Sequence, residues 1–303
     1  MDLNKYVLKH KFTKKYLLSL KDLSEEDIYE LLALAREYKY KRVVHEHSPA
    51  LKDKYVLLIT KPRFPQTGIT FQIAVKELGG NPVVSAMSGE DLEMRLSDEY
   101  YVKALSAVGL SAIVICTNKV SDTEIFEKAV NLPVINGNIE YSPCQALSAM
   151  LTMFELNHSF SGLKVTIVGN FKTDDNSLLY GLIKLGADVT LLTSQNGEPD
   201  KEVIEYCSQF TDLKITTDKS VALKNAEIVY IATCEKDTPI YLSAEDLQVA
   251  SSAVKVLTSV PVDYTVAEKE VFARDEAPVL KQAENLIHVY KAALTALAGK
   301  KIY

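Results

Sequence analysis

Short, continuously apolar runs alternate with stretches of helical period along almost the whole chain, and this constrains the fold more than any other feature. In Tyr55-Val56-Leu57-Leu58-Ile59-Thr60 the apolar positions are consecutive. A strand with one wet face alternates instead, so this run reads as a parallel strand buried on both faces. A Pro-containing loop over Lys61–Gly68 and a helix over Ile69–Leu78 follow, with Gly79-Gly80 as the stop. Further strands are expected at Pro82–Ala86, Ser111–Cys116 and Pro133–Ile135, with helical stretches at Asp98–Ala107 and Asp122–Ala129. Upstream, Ser24-Glu25-Glu26-Asp27 has the form of a capping box, with Ile28, Leu31, Leu32 and Ala35 at helical spacing. Such alternation is the mark of an α/β protein with parallel sheets.

The pattern pauses once. Pro143–Asn157 reads as one long helix with Pro in its first turn and Ser142 as its cap. After the Ser159–Gly162 turn a second series begins, with strands expected at Lys164–Val168, Asp188–Thr193, Lys214–Thr217, Ile228–Ala232 and Val254–Leu257. Ala283–Ala298 reads as a closing helix, with Leu286, Val289, Ala293, Leu294 and Leu297 on one stripe. At 303 residues the length fits two domains. The boundaries expected are 1–142 for the first, 143–158 for an interdomain helix, 159–282 for the second, and 283–303 for a helix that packs back on the first.

With 34 Lys and Arg against 40 Asp and Glu, the net charge is −6, which disfavours nucleic acid and anionic membrane as partners. No apolar run reaches membrane-spanning length and no signal-peptide core is visible, so the chain is read as cytoplasmic. Cys116, Cys144, Cys207 and Cys234 form no C-x-x-C pair, have no His at metal-ligand spacing, and read as reduced core thiols. Val168-Gly169-Asn170-Phe171-Lys172 follows a strand as a dinucleotide-binding turn would, but lacks G-x-G-x-x-G. Neither a metal site nor a cofactor is expected; Asp174-Asp175 read as solvated acids.

Four stretches, in order, carry a resemblance to the aspartate/ornithine carbamoyltransferase family along nearly the full length. Phe71–Asn81 is similar to S-F-E-x-A-x-x-x-L-G-G. Pro133–Gly137 with Ser142–Leu147 resembles V-I-N-G…H-P-C-Q-A-L. Gly162–Gly169 with Asn176-Ser177-Leu178 resembles G-L-K-V-x-x-V-G-D…N-S-L, and Gln282-Ala283-Glu284-Asn285 resembles the Q-A-E-N that opens the family's last helix. The resemblance implies two doubly wound parallel-sheet domains joined by two interdomain helices. It implies one domain for carbamoyl phosphate, one for an amino acid, and a homotrimer with shared active sites.

Carbamoyl transfer requires a held phosphate dianion, a polarised carbonyl and a neutral amine in line. The family holds the phosphate with an S-T-R-T-R loop at a helix N-terminus. The matching positions here are Phe64-Pro65-Gln66-Thr67-Gly68. Only Thr67 is kept; Gln66 and Gly68 replace the arginines, and Pro65 removes an N–H donor. The Arg and His that polarise the carbonyl are matched by Cys116 and Ser142, neither able to supply a cation, while Gln145 is retained. On the acceptor side Ala232-Thr233-Cys234 replaces the ornithine-reading D-x-W, and Thr258-Ser259-Val260-Pro261 replaces H-C-L-P or H-P-L-P. Asn176 and Ser177 could grip an amino-acid backbone or cap a helix. Lys61 and Arg63 are cations that a rearranged loop could bring to the phosphate position, or else solvated charges, and Arg95 lies in the Ser88–Ser97 stretch that, the resemblance implies, reaches into the neighbouring subunit's site in the trimer. Two expectations follow: a family member that has lost ordinary transfer, acting as a pseudoenzyme that binds a small ligand or co-assembles with an active relative, or an active transferase with a remodelled site.

Overall fold

The computed structural model describes residues 12–60, 65–86, 98–116, 131–137, 142–172, 176–232, 240–273, 275 and 277–299. Lys61, Arg63, Phe64, Arg95, Asp174-Asp175, Thr233, Cys234 and the helix expected at 122–129 lie outside these, as does the Gln66 side chain. The chain divides into two compact units, one of Asp2–Leu147 with Asn285–Tyr303, the other of Ser148–Glu284.

In the amino-terminal unit the described elements are β1 (Tyr16–Leu17), α1 (Glu25–Val43), β2 (Tyr55–Thr60), α2 (Pro65–Glu77), β3 (Asn81–Ala86), α3 (Glu99–Ala107), β4 (Leu110–Cys116) and β5 (Val134–Asn136). The five strands pair in the order β1-β5-β4-β2-β3, every pairing parallel. As its unbroken apolarity requires, β2 lies in the interior, with Val56, Leu58 and Ile59 fully buried. The capping box forms as expected: Ser24 Oγ accepts from Asp27 N at 3.1 Å, and an Asp27 carboxylate oxygen accepts from Ser24 N at 3.0 Å. The two-residue β1, which pairs with β5, is too short to leave a pattern in sequence.

Next come α4 (Pro143–Asn157), β6 (Lys164–Val168), α5 (Ser177–Lys184), β7 (Asp188–Leu192), α6 (Lys201–Cys207), β8 (Lys214–Thr216), α7 (Lys219–Ala222), β9 (Ile228–Ile231), β10 (Lys255–Thr258), α8 (Lys269–Ala273) and α9 (Ala277–Ala298). Strands β6 to β10 form a second five-stranded sheet of order β10-β9-β6-β7-β8, again parallel throughout. Both unit boundaries fall within helices, in α4 and in α9.

Two helix starts differ from the sequence reading. Helix α2 begins at Pro65, not Ile69, because proline fits the first helical turn, where an N–H has no intrahelical acceptor. Gln66, Thr67 and Gly68 are therefore in its first turn and not in a loop, and Pro65 removes a donor only from that turn. Helix α9 begins at Ala277, not Ala283. Asp275 caps the backbone there, accepting from Ala277 N at 3.1 Å, and Gln282 lies inside the helix.

Candidate functional site

In a parallel α/β sheet, ligands bind beyond the carboxyl ends of the strands, at the point where the strand order reverses. The amino-terminal sheet reverses between β2 and β4, since β3 lies on one side of β2 and β4 on the other. Thr60 ends β2 and Cys116 ends β4, with Asn136 ending β5 and Gly137 just past it. Thr67 enters from the first turn of α2, buried at 2% exposure.

The Cys116 thiol is fully buried and donates to the Gly137 carbonyl oxygen at 2.9 Å. Burial is the main reason its pKa is pushed well up, and burial pushes Cys144 up to about 12. Both thiols are thus neutral and chemically quiet. Packing around Cys116 is tight enough to require glycine at 137, where a Cβ would meet Cys116 Sγ and Val114 Cγ1 at 2.7 Å each. Asn136 turns the other way, its amide donating to Leu18 O at 3.0 Å.

Ser142 is 1% exposed and caps α4, its hydroxyl oxygen accepting from Gln145 N at 3.1 Å, as expected. The same bond fixes the backbone of Gln145, which is also buried. Thr67, Cys116, Ser142 and Gln145 thus all belong to this unit, and none carries a charge at pH 7.

The other sheet reverses between β6 and β9. Its chains approach closely: a Cβ on Gly169 would lie 2.9 Å from that of Ala232. Buried Asn170 closes the turn, its Oδ1 accepting from Lys172 N at 3.0 Å. Asn176 occupies the N-cap position of α5 but makes no side-chain cap bond; its amide donates to Phe171 O at 3.3 Å. Ser177 begins the helix, 1% exposed. Ser259, just past β10, shares a 3.1 Å hydrogen bond with the Tyr230 hydroxyl. Thr258 Oγ1 donates to Ile231 O at 2.8 Å. The sequence reading met Asn170 only as part of a turn weighed for dinucleotide binding, and passed over Tyr230, which is visible only through its contact with Ser259. Among the described residues no group of three or more His, Cys, Asp or Glu could hold a metal ion. Nor is any described helix long and apolar enough to cross a membrane. Cys116, Cys144 and Cys207 are buried, in keeping with the expectation that they are core thiols.

Residues 15–155 match the carbamoyl-P binding domain of the aspartate/ornithine carbamoyltransferases, and residues 161–297 match the Asp/Orn binding domain. The chain belongs to the aspartate/ornithine carbamoyltransferase family. The ornithine carbamoyltransferase of Bacillus subtilis is 31% identical, with 94% of each chain covered. Among solved structures, the Pyrococcus furiosus ornithine carbamoyltransferase superposes with a TM-score of 0.86 at 25% identity, covering 95% of this chain and 98% of that one. The Gloeobacter violaceus enzyme gives 0.81 at 25% identity, covering 96% and 100%. As a carbamoyltransferase-family member, the chain is of a transferase lineage for carbamoyl groups. It has the family's architecture of two parallel-sheet α/β domains.

Proposed function

We propose that this carbamoyltransferase-family protein does not carry out ordinary carbamoyl-phosphate-dependent transfer and acts instead as a binder of a small ligand. The observation that carries this reading is the state of Cys116. At the position where the family resemblance expects an arginine to polarise the carbamoyl oxygen, the chain has a buried, neutral thiol already donating to Gly137 O. Ser142, at the position of the family's histidine, has its oxygen engaged in capping α4. Without cationic donors the developing oxyanion loses charge-assisted hydrogen bonds of about 1.5–3 kcal/mol each.

The test is transfer itself. Carbon-labelled carbamoyl phosphate is incubated with the protein and a panel of amino acids that includes ornithine and aspartate. No acceptor-dependent, acid-stable labelled product is expected. Such a product, formed by the native chain and lost in Gln145→Ala, would overturn the reading and favour the active alternative. That alternative draws on Thr67, Gln145, Asn176 and Ser177 being buried polar groups near the carboxyl ends of their sheets.

The same proposal takes the protein as a cytoplasmic homotrimer, able to co-assemble with an active relative. Ile69 and Ile73 of α2 and Val83 and Val84 of the edge strand β3 are exposed apolar residues, and an uncovered apolar edge is a liability for a lone subunit. Light scattering should give three times the 33.7 kDa chain mass. The buried thiols suit a reducing compartment.

A further inference from the structure

The amino-terminal unit has a second polar concavity, at the opposite end of its sheet from Cys116 and Thr67. It is a cleft of about 360 Å³ lined by Tyr38, Lys41, Arg42, His45, Glu46, His47, Ser48, Glu77 and Lys291. Helix α2 separates the two places. Thr67 lies in its first turn and Glu77 ends it, a rise of about 15 Å at ~1.5 Å per residue.

The cleft holds cations whose donor capacity exceeds the acceptors that meet them among the described residues. Lys291 is 4% exposed. Its ammonium has three N–H donors, and the acceptor that meets them is the Glu77 carboxylate. Arg42 has five donors and, among the described residues, one ion-pair partner, the same Glu77, at a long 3.4 Å. Lys41 pairs with Glu37 on the helix surface. Lys41 and Lys291 each lie 5.8 Å from the centre of the Tyr38 ring.

Two imidazoles adjoin these cations. The C-terminus of α1 ends with His45 in the left-handed region at φ 56°, its N–H bonded to Arg42 O at 3.3 Å, while Glu46 N bonds to Lys41 O at 2.8 Å. This is a helix-closing turn that usually takes glycine, and here it brings His45 and His47 to the cleft wall. The local field is positive. Fully buried His288, neighbouring the cleft on α9, is held neutral down to about pH 3 by burial first, then by Lys291, Lys39 and Arg42.

We propose that this cleft is a second ligand site, one that takes a small phosphate dianion, either free or as the head of a phosphate ester. Arg42 and Lys41 supply charge-assisted hydrogen bonds to it, Lys291 supplies the buried charge, and the imidazoles of His45 and His47 supply further N–H donors. Because the Arg42–Glu77 pair is partly exposed, giving up part of it to a ligand costs little. A volume of 360 Å³ exceeds what a bare phosphate fills, which leaves room for an ester's organic part.

The experiment follows the imidazole ¹H–¹³C resonances of the full-length protein at pH 8. Inorganic phosphate and glycerol 3-phosphate are titrated separately, with sodium chloride at matched ionic strength as control. The His45 and His47 signals, assigned by single His→Gln variants, should shift saturably in the millimolar range or below with at least one probe and not with chloride. The tighter probe identifies the free or esterified source. In Lys41→Gln/Arg42→Gln the affinity should fall by about tenfold or more, the loss of one to two charge-assisted bonds. Lys164→Gln/Lys224→Gln, which removes the same charge from the other unit, should leave it unchanged. Absence of saturable shifts with both probes, equal shifts with chloride, or equal weakening by the two double variants would each overturn the proposal.

Discussion

The two ends of the amino-terminal sheet differ in charge. Beyond the carboxyl ends of its strands, Cys116, Ser142 and Gln145 are neutral, buried and engaged within the protein. At the opposite pole Lys41, Arg42 and Lys291 line an open cleft. Tight packing of neutral groups leaves a thiol no route to a charged state, whereas Arg42 and Lys291, which share Glu77 among the described residues, keep donors for a ligand. Where a fold binds anions is thus a matter of which side chains stand at a given end, not of the fold itself.

The sharpest way to break this contrast is Cys116→Arg. Placing a guanidinium where the thiol is fully buried should cost about 3–5 kcal/mol. A variant that melts like the parent would show that the neutral end is open after all. Almost as large is the effect of Tyr290, fully buried with its ring 6.0 Å from that of Phe71 and its hydroxyl without a partner. Tyr290→Ala should lose about 3–5 kcal/mol in urea unfolding. Tyr290→Phe should instead be neutral or stabilising by about 1 kcal/mol, since it removes an unpaired buried hydroxyl.

His288 sharpens the contrast from the cationic pole. Its folded pKa lies near 3, below the ordinary 6.5, so between those values the unfolded chain binds a proton that the native protein does not. Stability contributed by neutral His288 is therefore full above about pH 6.5 and falls as the pH drops toward 3, by up to about 1.4 kcal/mol per unit. The slope of urea midpoint against pH should flatten in His288→Leu; an unchanged slope would place the titration elsewhere. The smallest effect is at the cap, where Ser142→Ala should cost about 1 kcal/mol by thermal melting.

Much of the fold was legible because it rests on local pattern. The consecutive apolar residues of β2 demanded burial on both faces, and Ser24 with Asp27 and Ser142 before Pro143 announced helix starts that formed as read. The start of α2 was misplaced because Pro65 was read as a loop residue, although proline is at home in a first helical turn, and that of α9 because the Gln282–Asn285 motif drew it past Ala277. At the candidate site the missing cations at 66, 68, 116 and 142 were plain in the sequence. The Cys116–Gly137 hydrogen bond, and the need for glycine at 137 that goes with it, arise from strands β4 and β5 meeting in space. The cationic cleft was illegible for the same reason: Arg42 and Lys291 share Glu77 only after α1, α2 and α9 have packed.

The placement of α9 has a bearing on synthesis. Its last fourteen residues, Asn285–Ala298, belong to the amino-terminal unit, where Val289, Tyr290, Ala293 and Leu294 are buried. A ribosome makes residues 148–284 before these, so the carboxyl-terminal unit has all its residues first. The amino-terminal unit waits until residues 285–298 are made to receive Tyr290 against Phe71, and its unfinished core stays exposed to aggregation or chaperone capture until then.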